Sequence, residues 1–485
     1  MNKHDARNGP LTQNHPILTL KHISLAVLSS ALLSISFSFI QVNLGILAWF
    51  GLVPLFLAVE NKTIRQRCLL SFIFGFLFFL GTIYWIAHVS VFGLIVLCLY
   101  LSLYIVLFGI MARTILAPFC LLYIPLAWVM LEILRSHAFT GFGWGLIGHT
   151  QFKNILLIQV ADKVGVWGVG FLLVITNVAL AQVMSKWQKV RWRNPCIIIP
   201  CILILLSYGY GFICLDKSFS GPSIRVAVIQ GNIPQEQKWN PQYVQGILNR
   251  FRQLSIKARA EKPDLIIWPE TSVPGYLLDE PRLLKTITDL SQDMGAYLLV
   301  GSPREDLVSG AYYNSAFLFS ARGELKHFHD KIHLVPFGEY IPYKNFFWFV
   351  NNTRIADFSS GNRHTIFFAP GYNGSLVRFG VLVCFEDIFG DLVRAFRVGG
   401  ADFLVTITNE AWFKMSSEPL QHLAISTFRA IENRCWFIRC ANTGISCFID
   451  PYGRVKNKIE KAGADIFVEG FKVMDLSCDS GAAYR

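Results

Sequence analysis

The sequence predicts a membrane protein in two parts, a membrane α-helical bundle of about seven spans and then an α/β domain facing water. Three observations carry that prediction. The 485 residues are 53% hydrophobic and 16% charged, with a mean hydropathy of +0.43, whereas soluble domains are about a quarter charged. Apolar runs near the roughly 20 residues that cross a bilayer crowd the chain as far as Cys214. From Ser218 the texture changes to short β-branched runs alternating with amphipathic, charged segments, the pattern of a sheet covered by helices.

Residues 1–22 are polar and read as a cytoplasmic tail. The run Ile23–Ile40 has no small-residue cleavage site after it, so it is a first spanning helix and not a signal peptide. Further runs lie at Leu44–Val59, Cys68–His88, Val91–Ala112, Pro118–Leu134, Val166–Met184 and Cys196–Cys214, which makes 23–217 a transmembrane domain. Loop charges set its orientation. Lys3, Arg7, Lys21, Lys62, Arg65, Arg67, Arg113, Lys186, Lys189, Arg191 and Arg193 fall on one side, against Arg135, Lys153 and Lys163 on the other. By the positive-inside rule the first set is cytoplasmic, and everything after Cys214 lies on the outer face. One outer loop, Phe139-Thr-Gly-Phe-Gly-Trp-Gly-Leu-Ile-Gly148-His149, alternates glycine with aromatics. It reads either as a packing loop or as a lipid-facing floor beneath an active site.

In the second half, 218–460, strands are predicted at Arg225–Gln230, Leu265–Trp268, Tyr297–Gly301, Ala316–Ser320, Gly380–Cys384 and Phe403–Thr408. Helices are predicted at Gln242–Glu261, Pro281–Met294, Asp391–Val398 and Gln421–Asn433. Nearly continuous apolar strands suit a sheet buried on both faces. Residues 461–485 carry Asp465, Glu469, Lys472, Asp475 and Asp479, too many charges to span, and read as a polar tail.

The net charge of +12 belongs mostly to loops beside membrane helices, so no nucleic-acid partner is expected. Of eleven cysteines, Cys68, Cys98, Cys120, Cys196, Cys201 and Cys214 lie in or beside apolar segments, where cysteine acts as a small hydrophobe. Cys384, Cys435, Cys440, Cys447 and Cys478 lie in the polar half without a Cys-x-x-Cys pair, so no metal site is expected.

Three residues carry chemistry at predicted strand ends. Cys384 ends the run Gly380-Val-Leu-Val-Cys384 and precedes Phe-Glu-Asp. Glu270 follows a strand through Trp268-Pro, and Lys331 lies in a loop, His327-Phe-His-Asp-Lys331-Ile-His333. A thiol is a weak nucleophile until a base or a cation activates it. Cys384 is therefore expected to attack a carbonyl and form a thioester. Glu270 would carry protons, and Lys331 would hold charge where the oxyanion develops.

Trp268-Pro-Glu270, the Lys331 loop and Cys384-Phe-Glu resemble the Glu–Lys–Cys triad of the nitrilase, or carbon–nitrogen hydrolase, superfamily. Gln230-Gly-Asn-Ile-Pro234, Lys331-Ile-His-Leu-Val-Pro-Phe-Gly-Glu339-Tyr340, Asn409-Glu-Ala-Trp412-Phe, Gln421-His-Leu and Arg439-Cys-Ala-Asn442-Thr-Gly444 are similar to its membrane-bound branch, the apolipoprotein N-acyltransferases. The resemblance covers about residues 23–455 and implies an αββα sandwich on a membrane bundle. It implies an acyl chain taken from a membrane phospholipid onto Cys384, then passed to the α-amine of the N-terminal S-diacylglyceryl-cysteine of an apolipoprotein. It further implies Glu339 and Glu386 as accessory carboxylates, Trp239, Trp412 and Tyr340 as substrate-binding residues, and no cofactor. The location implied is the bacterial inner membrane, with the catalytic domain on the periplasmic face. Glu410 and Lys414 stand where the family usually has Asp and Gly, and the family's last spanning helix is not expected here.

Two rivals use the same residues differently. A membrane-tethered amidase or nitrilase would pass the acyl group to water. A transporter or receptor would only bind ligand, and it would need intramembrane charges, of which Glu132 is the main one.

Overall fold

The computed structural model describes residues 18–38, 43–112, 114, 117, 119–185, 195–216, 221–343 and 357–478. The expectations that rest on Lys3, Arg7, Arg113, Lys186, Lys189, Arg191, Arg193 and the last residues of the tail lie outside them.

The apolar half forms α1 (Leu20–Ser36), α2 (Val53–Val59), α3 (Ile64–Thr82), α4 (Val91–Met111), α5 (Cys120–His137), the single turn α6 (Ile155–Ile158), α7 (Ala161–Ser185) and α8 (Pro195–Leu215). Among the described residues, α3, α4, α5, α7 and α8 are long and apolar enough to cross a membrane. The first and second predicted spans are shorter. The stretch Leu44–Val59 is not one helix but a 3-10 turn, Leu44–Trp49, followed by α2.

Side chains of the neighbouring elements satisfy that break. Asn177 on α7 accepts from Leu52 N–H (2.8 Å) and donates to Ala48 O (2.9 Å), while Gln151 donates to Gly45 O (2.7 Å). In an apolar medium a freed backbone group needs such a partner.

The second half pairs two six-stranded sheets. The strands are β1 (Ser223–Gln230), β2 (Leu265–Ile267), β3 (Tyr297–Asp306), β4 (Ala311–Phe319), β5 (Leu325–Asp330), β6 (Ile366–Pro370), β7 (Leu376–Val383), β8 (Phe403–Thr408), β9 (Trp436–Ala441), β10 (Cys447–Ile449), β11 (Val455–Lys456) and β12 (Gly470–Ser477). One sheet has the order β12-β1-β2-β3-β4-β5 and the other β11-β10-β9-β8-β7-β6. The helices are α9 (Gln235–Lys238), α10 (Val244–Arg259), α11 (Pro281–Met294), α12 (Gly390–Val398) and α13 (Glu418–Asn433).

The period-two alternation of strand side chains sorts the core into layers. Val226, Val228, Val381, Val383, Val405 and Ile407 meet between the sheets. Ala227 and Ile229 face α10 and α11, and Leu382 and Leu404 face α12 and α13. The expected αββα sandwich is the observed architecture.

Three expectations change. Leu325–Asp330, read as a loop, is the edge strand β5. Leu325 to Phe328 are all exposed and only His329 is buried, so the segment's charges and histidines hid the strand pattern. Residues 470–477, read as polar tail, pair antiparallel with β1 along its whole length. Lys472 and Asp475 are exposed in a strand at the sheet edge, which leaves the segment without a clear apolar run. The Gly/aromatic loop is buried from Gly143 to Gln151 and faces protein, not lipid. Arg135 Nη1 donates to Phe142 O (2.8 Å) and Trp144 O (2.6 Å).

Helix α13 joins the halves. Its Ala424, Ile425, Phe428 and Ile431 belong to the core of the membrane half. Gln421 Oε1 accepts the indole N–H of Trp85 (3.2 Å) and of Trp144 (2.7 Å), and Gln421 Nε2 donates to Thr82 O (2.9 Å). At the other end, Arg434 pairs with Asp162 (3.1 Å) and donates to Gln159 O (2.9 Å).

Candidate active site

The predicted residues converge at the carboxyl ends of the strands, where an α/β sheet leaves backbone ends and loops to build a site. Strand β7 stops at Val383, and Cys384 takes a left-handed φ of +55° at the head of a 3-10 turn, Cys384–Ile388. A non-glycine residue is held there only when its surroundings dictate it. Glu386, two residues on, does so. Its Oε2 accepts from Val383 N–H (2.6 Å), and its Oε1 accepts from Ile332 N–H (2.7 Å) and His333 N–H (3.0 Å). One buried carboxylate thus stitches the cysteine turn to the Lys331 loop. Burial pushes Glu386 up to about 7, against the pull of those N–H groups and of Lys331.

Glu270 lies beyond β2 on a turn pressed against β3. A Cβ on Gly301 would come within 2.8 Å of Glu270 Cα, so that strand position requires glycine. Trp268 anchors the approach by stacking on Phe251 and donating its indole N–H to Ser255 Oγ (2.9 Å). The Glu270 carboxylate accepts from Asn314 Nδ2 (2.7 Å) and from Asn409 N–H (2.8 Å).

Lys331 follows β5 directly, and its N–H donates to Asn314 O (2.8 Å). Its buried ammonium pairs with both Glu339 oxygens, at 3.0 and 2.8 Å. Asn314 Nδ2 also donates to Glu339 (3.1 Å), which joins the two carboxylates through one amide.

Burial and then the Glu270 carboxylate hold the Cys384 thiol well above its ordinary value, while Lys331 and the Thr408 hydroxyl act in the opposite sense. The resting group is therefore a thiol, with a carboxylate to receive its proton and an ammonium to meet negative charge.

The accessory residues divide. Glu339 and Glu386 touch the centre as described. Trp239 and Trp412 are half exposed, at 52% and 49%, on loops joined by Asn409 Nδ2 to Gln235 Oε1 (2.7 Å). Tyr340 closes the loop after Lys331, its carbonyl accepting from Phe337 N–H (2.8 Å). Lys414 has φ +51°, a conformation that favours glycine.

Sequence reasoning missed Asn314 and Lys238. Asn314 lies within β4, which begins at Ala311, before the predicted strand start at Ala316. Lys238 precedes Trp239 in a polar run that read as loop.

Beneath the cysteine turn is a buried ionic cluster. His422 bridges Asp387 (2.6 Å) and Glu410 (2.8 Å), and Arg439 pairs with Glu410 (2.5 Å) and Asp387 (3.4 Å). Glu410, Glu418 and His422 offer ligand atoms within 4.8 Å of one another, as a metal ion would need. Arg439 already occupies one Glu410 oxygen, and the Asp387 and Glu410 charges are matched by Arg439 and a His422 raised above its usual value. Asp387 and Glu410 thereby tie the cysteine turn to the Trp412 loop.

The carbon-nitrogen hydrolase family model matches residues 225–473, and the apolipoprotein N-acyltransferase N-terminal domain model matches residues 29–179. The apolipoprotein N-acyltransferase of Geobacter metallireducens is 38% identical over 458 residues, covering 89% of this chain and 86% of that protein. That of Chlorobaculum tepidum is 30% identical over 472 residues, covering 90% and 88%.

Proposed function

Since the chain belongs to the apolipoprotein N-acyltransferase family, we propose that it moves an acyl chain from a membrane phospholipid to an apolipoprotein by way of a thioester on Cys384. The observation that carries this reading is the linkage of Glu270 to Lys331 through Asn314 and Glu339, with the Cys384 turn tied to the Lys331 loop through Glu386, on a domain packed against apolar helices long enough to cross a membrane.

In the first half-reaction Glu270 takes the thiol proton as Sγ attacks the ester carbonyl. Lys331 stabilises the oxyanion. The ester C–O bond breaks, and Glu270 returns the proton to the departing lysophospholipid oxygen. In the second, the free α-amine of the N-terminal S-diacylglyceryl-cysteine attacks the thioester. Its proton passes through Glu270 to Sγ as the C–S bond breaks, leaving an amide and a regenerated thiol. Glu339 holds Lys331 charged, and Glu386 holds the cysteine turn. Trp239, Trp412 and Tyr340 line the substrates' approach. The protein acts in the bacterial inner membrane with this domain on the periplasmic side, in keeping with the loop charges.

The test is to incubate the purified protein with radiolabelled phospholipid and look for a hydroxylamine-sensitive acyl label on the chain. The intact protein should acquire it and Cys384→Ala should not. No label on the intact protein, with small amides hydrolysed instead, would overturn the transfer reading in favour of an amidase. Label persisting on the alanine variant would assign the thioester to another cysteine.

A further inference from the structure

Lys238 ends α9, one residue before Trp239, with only 1% of its surface exposed. A lysine is almost never buried so fully without partners. Here the partners belong to the Glu270 turn. Its Nζ donates to Glu270 O (2.8 Å) and to Thr271 Oγ1 (2.6 Å), and Thr271 itself has a left-handed φ of +44°. The loop that carries Lys238 is pinned elsewhere as well. Asn442 Oδ1 accepts from Ile233 N–H (3.0 Å), and Asn409 Nδ2 donates to Gln235 (2.7 Å). Lys238 is therefore held in register with the turn it clamps.

Charge makes the placement functional. Both Glu339 oxygens engage Lys331, whose ammonium also acts on Glu270 and Cys384. The hydrogen-bond donors on the Glu270 carboxylate, by contrast, are the neutral Asn314 amide and Asn409 N–H. The titratable groups whose charges act on Lys238 are Glu270 and Cys384. Burial draws its ammonium down to about 7, and those two groups oppose that fall.

We infer that Lys238 is a positioning residue for Glu270: it clamps the Glu270–Thr271 turn from behind, adds positive charge that keeps the Glu270 carboxylate ionised, and latches the Trp239 loop to the reacting centre. This rests on Glu270 being the base for Cys384, as proposed above. The same ammonium then links the loop bearing Trp239 to the proton-transfer group. Lys331 serves the oxyanion, and Lys238 serves the base.

The experiment uses the full chain in detergent, with iodoacetamide as the probe and mass spectrometry reading the Cys384 peptide. Alkylation joins Sγ to the reagent carbon, expels iodide and gives the thiol proton to Glu270, so its acid limb reports the base. Lys238→Met should shift that limb to higher pH by about one unit, which slows alkylation about tenfold on the limb itself. The deficit should narrow as pH rises through about 7, where the wild-type ammonium is lost. A folded Lys238→Met variant with the wild-type profile overturns the inference. Should that variant lack a cooperative unfolding transition, Thr271→Ala decides, because it removes one acceptor and leaves the charge. It should shift the limb in the same direction by a smaller factor, and an unshifted limb overturns the inference. Alkylation needs no lipid. A shifted Lys238→Met profile beside an absent phospholipid label on the wild type would support Lys238 and sink the acyl-transfer reading alone.

Discussion

Replacing Glu339 by Gln tests whether Lys331 works through its charge. The ammonium lies 2.8 and 3.0 Å from the two carboxylate oxygens, with 1% and 14% of the side chains exposed. Burial draws Lys331 down, but Glu339, Cys384 and Glu270 together hold it above its ordinary value. At an effective dielectric near 20, unit charges about 3 Å apart attract by about 5 kcal/mol. Breaking such a buried pair costs about 3–5 kcal/mol, because one charge is left uncompensated. Gln keeps the shape but turns an amide N–H₂ toward donors, either Lys331 Nζ or Val335 N–H, which now donates to Glu339 (2.8 Å). The variant should have a lower thermal midpoint and form the acyl-thioester about 10²–10³-fold more slowly, the loss typical of removing one oxyanion donor. Its KM for phospholipid should stay within about threefold, since the lost interaction belongs to the transition state. The sign with pH is definite. In the wild type the raised value keeps Lys331 charged across neutral pH, and without Glu339 the charge is lost as pH rises. The deficit should therefore grow as pH rises. A folded Glu339→Gln protein with the wild-type rate, or with a deficit that ignores pH, would refute the assignment.

Two further outcomes follow from the same geometry. Gln421→Leu strands the indole N–H groups of Trp85 and Trp144 and the Thr82 carbonyl, each buried group costing about 1–3 kcal/mol. A clearly lower unfolding temperature in detergent is expected, and an unchanged one would mean α13 does not hold the halves together. Glu386→Gln tests a pH effect. The folded carboxyl is raised from 4.5 to about 7, so between those values the native state binds a proton that the unfolded chain has released. Its contribution is greatest below about 4.5 and falls as pH rises to 7, by about 3 kcal/mol at 1.36 kcal/mol per unit. The stability of wild type relative to Glu386→Gln should decline across that window in urea titrations at each pH. A constant difference would count against a titrating Glu386.

Much of the site was legible because its chemistry is carried by short, ordered stretches. An apolar strand ending at Cys384, a Trp-Pro step before Glu270 and a lysine among histidines could each be seen without a fold. Apart from the one-turn α9, the helices of the second half were read to within a few residues; Pro281–Met294 carries its own proline start and Gly295 stop. The less legible elements failed for physical reasons. Strands β5 and β12 are sheet edges whose exposed, charged residues do not alternate with buried ones, so they look like a polar loop or tail. Leu44–Val59 is apolar enough to suggest a span, yet it is broken where Asn177, more than a hundred residues later, can satisfy the open backbone. The glycines of the outer loop signalled close approach without saying to what, and the partner is protein.

Sequence alone determined the two-part architecture and the apolar helices, and it singled out Glu270, Lys331 and Cys384 as candidates. Hydropathy, strand periodicity and reactive side-chain type are local properties that survive in one dimension. Tertiary structure alone decided that Asn314 joins Glu270 to Glu339, that Glu386 stitches the cysteine turn to the Lys331 loop, and that Lys238 lies buried against the Glu270 turn. Each of those links joins segments far apart in the chain. A buried charge or amide shows its purpose only when the partner that compensates its lost water is in view.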